Sequence, residues 1–191
     1  MAKSEINQRT DALRNREAVI EAALELLGEQ PGASMQDIAE ASEVGRSTVY
    51  RHFPTRDELF AELQWVAVKE ARIEAEAVFA RELSFEETIG ELCGVLLQTG
   101  KRFRFLLGTE EAVSRERQAS RRSTESPIRA YFERCRDAGV IRDDLPLDWM
   151  MSAFQALSIV ALEDEAAGKQ TLAEAQRCFS DSVVAMLEKR S

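Results

Sequence analysis

The sequence predicts an all-α protein, and three observations support that class. Apolar residues recur at spacings of three, four and seven along most of the chain, which places them on one face of successive helices. Helix caps and proline or glycine punctuation separate these segments, and no convincing alternation typical of a strand is present. With 191 residues, of which 45% are hydrophobic and 31% charged, the chain can bury a core and has the composition of a globular protein.

Three helices are expected at the N-terminus. Thr10 is the expected N-cap of the first. Ser34 begins the second, and Asp37 three positions later completes a capping box. After a four-residue turn, a third short helix ends before Pro54, which cannot continue it. Two short helices joined by a tight turn, the second one basic, are typical of a helix-turn-helix, so we expect residues 1–54 to form such a domain.

A C-terminal helical bundle is expected over residues 55–191. Thr55 caps its first helix, and a capping box formed by Ser84 and Glu87 opens the next one. Proline near the start and glycine past the end bound a helix over residues 127–139. The last two helices are expected over residues 148–167 and 171–189.

The stretch VGRSTVYRHFPTRDELF, residues 44–60, contains three arginines and the chain's one histidine but no carboxylate before Asp57, although the protein has a net charge of −9. On a helix at about 100° per residue, Val49 and Phe53 fall together on a buried side. The opposite side and its flanks carry hydroxyl, guanidinium and aromatic groups, on Ser47, Thr48, Tyr50, Arg51 and His52. Arginine can bridge guanine O6 and N7, and small hydroxyl residues allow close approach, so this face suits a DNA major groove.

The basic residues of the N-terminal region are concentrated in two places, although the region as a whole is acidic. Residues 1–60 hold seven basic and eleven acidic side chains, a balance of −4, which argues against a general polyanion binder. The basic side chains gather at the start of the first helix and along the third. We expect this arrangement to suppress non-specific DNA binding and to leave affinity dependent on docking geometry.

Residues 13–60 resemble the DNA-binding domain of the TetR family of transcriptional regulators, particularly its AcrR-like members. The matching positions are Arg16, Glu17, residues 20–23, Ile38, Ala39, Val44, Thr48, Tyr50, His52, Phe53, Arg56 and Leu59. The resemblance implies a ligand-responsive dimeric repressor that binds a palindromic operator in double-stranded DNA. It also implies a C-terminal domain that binds a small-molecule effector and dimerises.

The resemblance further implies roles for individual side chains. Base edges would be contacted by Arg46, Ser47 and Thr48. Phosphates would be held by Tyr50, His52 and Arg56, and by the start of the second helix around Ser34. The outward position of Arg51 on the third helix adds it to the base-contacting set.

Two departures from the family pattern lie in the helix-turn-helix turn. Glu43 stands where a glycine is usual, so we expect a residue with a side chain to adopt positive φ at a cost of about 1 kcal/mol. Gly45 stands where serine or threonine usually caps the third helix, which weakens the cap by roughly a few tenths of a kcal/mol.

Apolar stripes on the last two helices admit two interpretations. The stripe residues are Met150, Phe154, Leu157 and Val160, then Leu172, Phe179, Val183 and Met186. They form either a core seam within one subunit or a four-helix interface between two. We favour a homodimer through these helices, because a two-fold dimer doubles the DNA contacts and matches a palindromic operator.

Several large apolar side chains are candidates for an effector pocket, since pockets between bundle helices are mostly apolar. The candidates are Trp65, Phe103, Phe105, Met150 and Phe154. The alternative for each is ordinary core packing. The arginine-rich run over residues 114–124 is either a solvated segment or an attractor for an anionic effector.

Catalysis is not expected, because the sequence has no Gly-rich phosphate loop, no G-x-S-x-G and no H-E-x-x-H. Three scattered cysteines and a single histidine indicate neither a disulfide framework nor a metal site, and no cofactor is expected. Without a signal peptide or an apolar run long enough to span a bilayer, the chain is expected to be cytoplasmic with no membrane partner. The alternative to a regulator is a non-enzymatic α-helical interaction module that retains the helix-turn-helix as a scaffold.

Overall fold

A computed structural model describes residues 2–106 and 126–189, and these residues form α-helices, one short 3₁₀ turn and no β-strand. The expected all-α class is confirmed. The helices are α1 Ala2–Glu29, α2 Met35–Ala41, α3 Arg46–His52, α4 Arg56–Phe79, α5 Phe85–Arg102, α6 Pro127–Asp137, α7 Leu147–Ala166 and α8 Leu172–Leu187, with the 3₁₀ turn at Arg104–Leu106. None of the described helices is long and apolar enough to cross a membrane. The arginine-rich run over residues 114–124 lies outside the described residues.

The chain divides into two compact units. Unit 1 takes the described residues of Met1–Ala67 and Arg102–Gly108, and unit 2 takes those of Val68–Lys101 and Thr109–Ser191. Helix α4 therefore contributes its first half to unit 1 and its second half to unit 2. The division at residues 54 and 55 stays a prediction.

Unit 1 is a helix-turn-helix packed on α1 and the first half of α4. Its core is formed by the apolar faces of these helices together with the 3₁₀ turn, and includes Val19, Ala23, Leu27, Ile38, Val49, Phe53, Leu59, Leu63 and Phe105. The capping box at the start of α2 is confirmed, because the Ser34 hydroxyl accepts from the Asp37 backbone and the Asp37 carboxylate accepts from the Ser34 backbone. The N-cap predicted at Thr10 is wrong. Helix α1 begins at Ala2, and no proline or glycine in residues 2–9 would stop it.

Unit 2 is a helical bundle whose core contains a chain of aromatic rings. The Phe154 ring lies 5.6 Å from Phe132, edge to face, and 5.2 Å from Phe179. Such geometry adds to the burial of large apolar rings. Capping boxes open α5 and α8, and Gly139, at φ 71°, follows the end of α6 as predicted.

The two apolar stripes of α7 and α8 lie largely inside unit 2. Met150, Phe154, Phe179 and Val183 are all buried in its core, so for these four side chains the interpretation as a seam within one subunit is correct. Val160 differs, since it is 53% exposed. Any contact that α7 and α8 make with a second copy must use their outer faces instead.

Candidate nucleic-acid interface

Helix α3 lies against the unit 1 core through one side only. Val49 is fully buried and Phe53, which caps the helix C-terminus, is 2% exposed, which confirms the predicted inner side. The helix ends before Pro54, as expected. This burial fixes which side chains of α3 face solvent.

We call the three exposed residues Arg46, Ser47 and Arg51 of α3 its outward edge. Ser47 and Arg51 lie opposite Val49 and Phe53, whereas Arg46 lies in the first turn, in the same row as Tyr50. Thr48 lies half-buried beside it. Within the described part of the chain, neither Arg46 nor Arg51 is in an ion pair, so their guanidinium groups have donors available for another molecule. An exposed row of hydroxyls and unpaired guanidinium groups on a short helix is suited to phosphate and base-edge contacts.

Tyr50 lies at the flank of this edge and contacts Arg46 directly. The Arg46 guanidinium carbon lies 5.6 Å from the centre of the Tyr50 ring, within the range of a cation–π contact. The phosphate role implied for Tyr50 would use its hydroxyl, which is separate from this ring contact.

Arg56 was expected to hold a phosphate, but its guanidinium is engaged within the protein. It donates to the backbone carbonyl oxygens of Ala33 and, at 3.2 Å, of Pro31, and it lies 4.6 Å from the centre of the Phe60 ring. These contacts tie the first turn of α4 to the loop between α1 and α2. A phosphate contact by Arg56 would have to share or replace these hydrogen bonds.

Arg16 is a site residue to which sequence reasoning gave no role beyond a family match. Its guanidinium pairs with Glu62 on α4 at 2.6 Å and lies 5.3 Å from the centre of the Phe53 ring. It therefore joins α1, the end of α3 and α4. The partners are far apart along the chain, so no local spacing pattern could have revealed the contact.

His52 is half-buried at the C-terminal end of α3, and its Nε2 is buried with no hydrogen-bond partner in the described structure. Burial lowers the pKa of His52, and the nearby charges of Arg51 and Arg16 lower it further. The imidazole is therefore neutral at pH 7. It could hold a phosphate by donating an N–H but not by its charge.

Ser34, also expected near a phosphate, stands beside a carboxylate. Its hydroxyl lies 2.8 Å from the Asp37 carboxylate, and the hydrogen bonds from Ser34 keep the pKa of Asp37 below its ordinary value. The position implied for a phosphate therefore carries negative charge at neutral pH. At this position, only the backbone amides at the start of α2 favour the binding of a phosphate.

The turn before α3 has the geometry expected from its unusual residues. Glu43 adopts φ 55° and is the non-glycine residue with positive φ among those described, which confirms the prediction. Gly45 is the N-cap of α3, and no side chain caps the helix there.

The five candidate effector residues do not form a single group. Phe103 and Phe105 are buried in the unit 1 core, whereas Met150 and Phe154 are buried in the unit 2 core. Trp65, on α4, is 58% exposed.

Comparisons with known proteins agree with this geometry at the N-terminus. A family model described as bacterial regulatory proteins of the tetR family matches residues 19–63. The HTH-type transcriptional repressor LfrR of Mycolicibacterium smegmatis is 46% identical over 50 residues, which span 26% of this chain and 26% of LfrR. The match thus covers about a quarter of this curated relative.

Solved structures extend the likeness to most of the chain at the level of fold. A tetR family regulator from a Shewanella species has a TM-score of 0.71 at 16% identity, covering 92% of this chain and 99% of its own. The LfrR structure in complex with proflavine has a TM-score of 0.67 at 22% identity, covering 90% and 95%. These structures share the all-α architecture with an N-terminal helix-turn-helix.

Proposed function

We propose that this chain, whose residues 19–63 match the tetR family model, is a sequence-specific DNA-binding transcriptional regulator that acts as a dimeric, ligand-responsive repressor. The outward edge of α3 is the observation that carries the proposal. It exposes two guanidinium groups without ion-pair partners within the described residues, in a protein whose net charge is −9. Arg46, Ser47, Thr48 and Arg51 contact base edges, while His52 contacts a flanking phosphate.

Arg56 and Ser34 have a structural role in this proposal. Both keep the helix-turn-helix in shape, Arg56 through the carbonyl groups of the α1–α2 loop and Ser34 through the α2 capping box. Any phosphate near them is bound mainly by backbone amides at the start of α2.

A homodimer presents two such edges to a palindromic operator. The outer face of α7 supports this contact, because Trp149 and Val160 are 63% and 53% exposed and lie about three turns apart on one side of the helix. Between them on the same side stand Ala153 and Ala156, which allow close approach of a second helix. Val160→Glu should shift the protein from dimer to monomer in analytical ultracentrifugation, and an unchanged sedimentation coefficient would remove this face from the interface.

Helix α4 couples the effector to the DNA-binding residues. It is continuous from Arg56 to Phe79, and in unit 1 it is joined to α1 and to the end of α3 through Arg16 and Glu62. Leu59 and Leu63 of α4 also share the unit 1 core with Val49 and Phe53, so a shift of the first turns of α4 would displace α3. An effector that binds one arrangement more tightly would favour it and change operator affinity by the same coupling energy.

The effector is a small molecule bound by the C-terminal helices, and the complex of the relative LfrR with proflavine supports this part of the proposal. Met150 and Phe154 are the candidates within the bundle, since both are buried there. Phe103, Phe105 and Trp65 are weaker candidates, because the first two belong to the unit 1 core and the third is exposed.

The proposal is tested by footprinting the full chain on the DNA that flanks its own gene, over a range of salt concentrations. We expect a saturable, two-fold symmetric footprint that weakens as salt rises, because phosphate contacts release counterions. Arg51→Ala should weaken operator binding by about 1–3 kcal/mol. The matched control is Arg72→Ala, which removes an exposed arginine paired with Glu76 on α4. The absence of any footprint there would favour the interaction-module alternative.

A further inference from the structure

The outward edge of α3 contains one contact that the proposed function does not explain. Arg46 and Tyr50 are both exposed, one helical turn apart, and the guanidinium lies over the ring. Residues four apart on a helix are surface neighbours, so the contact needs no help from the core. It orients the guanidinium of Arg46 before any other molecule is bound.

We propose that Arg46 and Tyr50 form a guanine-recognition pair in which Arg46 contacts the base and Tyr50 is a positioning residue. The inference rests on the proposed function and specifies one base and one mechanism within it. Guanine offers two acceptors side by side in the major groove, O6 and N7, which match the parallel donors of a guanidinium fork. Lysine, a flexible point charge, does not match them in the same way.

Position along α3 favours Arg46 over Arg51 for this role. Arg46 is the first residue of α3, and recognition helices present their N-terminal residues to the base edges. The preceding residue, Gly45, has no side chain, and a Cβ there would meet nothing within 4 Å. The approach to Arg46 from the N-terminal side is therefore open.

The ring contact matters because a free arginine side chain loses much rotamer freedom when it is fixed on a base. The cation–π contact with Tyr50 restricts that freedom in the unbound protein, so less is lost on binding. No carboxylate competes for the fork, since Arg46 has no ion pair within the described residues. Arg16 contrasts with it, because its guanidinium also lies over a ring but is held by Glu62.

The test begins with duplexes selected by the full chain from a random pool. Guanines that matter are located by methylation at N7, and each is then replaced by 7-deazaguanine, which lacks the N7 acceptor but keeps base pairing. For wild type, we expect one guanine in each half-site whose replacement lowers affinity about tenfold. For Arg46→Ala, which lowers affinity for the selected duplex by about 10-fold to 100-fold, the same replacement should have no further effect.

Two variants of Tyr50 separate the ring from the hydroxyl. Tyr50→Leu removes the ring and should lower affinity about threefold to fivefold, but only on duplexes with the natural guanine and only when Arg46 is present. Tyr50→Phe keeps the ring and should bind within about twofold of wild type. Circular dichroism and the melting temperature should match wild type for both variants, because Tyr50 is not part of the unit 1 core.

The outcomes distinguish the inference from the proposed function. If the full chain selects no sequence, the proposed function fails and the inference fails with it. If a sequence is selected but no guanine depends on Arg46, the inference alone is wrong. If Tyr50→Phe loses as much affinity as Tyr50→Leu, the hydroxyl contacts a phosphate and the positioning role is overturned.

Discussion

Four arginines of unit 1 lie within a short distance of the helix-turn-helix, and they divide into two regions with different surroundings. Arg16 and Arg56 lie where α1, the α1–α2 loop and α4 meet, and their guanidinium groups are engaged with Glu62 and with backbone carbonyls. Arg46 and Arg51 lie on the outward edge of α3, and neither has an ion-pair partner among the described residues. The same residue type therefore stabilises the domain in one region and is available for DNA in the other.

A basic residue of a DNA-binding motif can contact DNA or stabilise the fold of the motif, and sequence similarity alone does not distinguish these two roles. Arg56 belongs to the motif that resembles TetR regulators, and a phosphate role followed from the motif. Its actual partners are the carbonyl oxygens of Pro31 and Ala33, which belong to the loop between α1 and α2. A basic residue in a DNA-binding motif can thus be required for the shape of the motif.

The largest expected effect comes from Arg56→Ala. The substitution leaves the carbonyl groups of Pro31 and Ala33 without their guanidinium donor and removes the contact with the Phe60 ring, so stability should fall by about 2 kcal/mol. Urea denaturation followed by circular dichroism measures this. Arg51→Ala is the matched control and should unfold like wild type. An equal loss of stability in both variants would show that Arg56 is no more important for folding than an arginine of the outward edge.

Glu43→Gly should change stability in the other direction. Glu43 adopts φ 55°, which glycine accepts without strain, so the variant should be more stable by about 1 kcal/mol despite the greater entropy of its unfolded chain. The melting temperature should rise by about 2–4 °C. Glu43→Ala also removes the charge but keeps the strain, and a rise of the same size in that variant would show that charge and not backbone conformation is responsible.

A smaller loss is expected from Glu62→Gln, which breaks the ion pair with Arg16. Both side chains are partly exposed, so the cost should be about 0.5 kcal/mol by denaturation. Glu76→Gln, which breaks the more exposed Arg72–Glu76 pair, should cost less. If the two variants are indistinguishable, the Arg16 contact contributes no more than an ordinary surface pair.

The smallest effect concerns His52, whose pKa is lowered by burial and by one arginine from each region, Arg51 and Arg16. Its folded-state pKa lies below the ordinary value of 6.5, so the unfolded chain binds a proton first as pH falls. Stability should therefore decline as pH drops below 6.5 and level off below the folded-state pKa. His52 is the chain's one histidine, so His52→Gln should remove this slope between pH 5.5 and 7. A slope that persists in the variant would assign it to another group.

Local features of the fold were predictable because their causes are local. The α2 capping box needs only Ser34 and Asp37. The strained turn at Glu43 was expected from the family resemblance, which has a glycine at this position. The inner side of α3 follows from the spacing of Val49 and Phe53. Each of these predictions is confirmed by the structure.

Contacts between distant segments were not predictable from spacing. Arg56 and its carbonyl acceptors are 23 and 25 residues apart, and the pairing of Arg16 with Glu62 depends on how α1 packs against α4. The stripes of α7 and α8 show a related difficulty, because helical periodicity identifies an apolar face but not what covers it. Val183 is buried within unit 2 whereas Val160 is exposed, and both fit the same pattern.

The most direct test measures the operator affinity of a variant that lacks both arginines of the outward edge, Arg46→Ala with Arg51→Ala. The duplex is the one that wild type protects, and the melting temperature is measured in parallel. We expect affinity to fall by at least about 100-fold, with an unchanged melting temperature. Wild-type affinity in this variant would contradict the assignment of α3 as the DNA-binding surface.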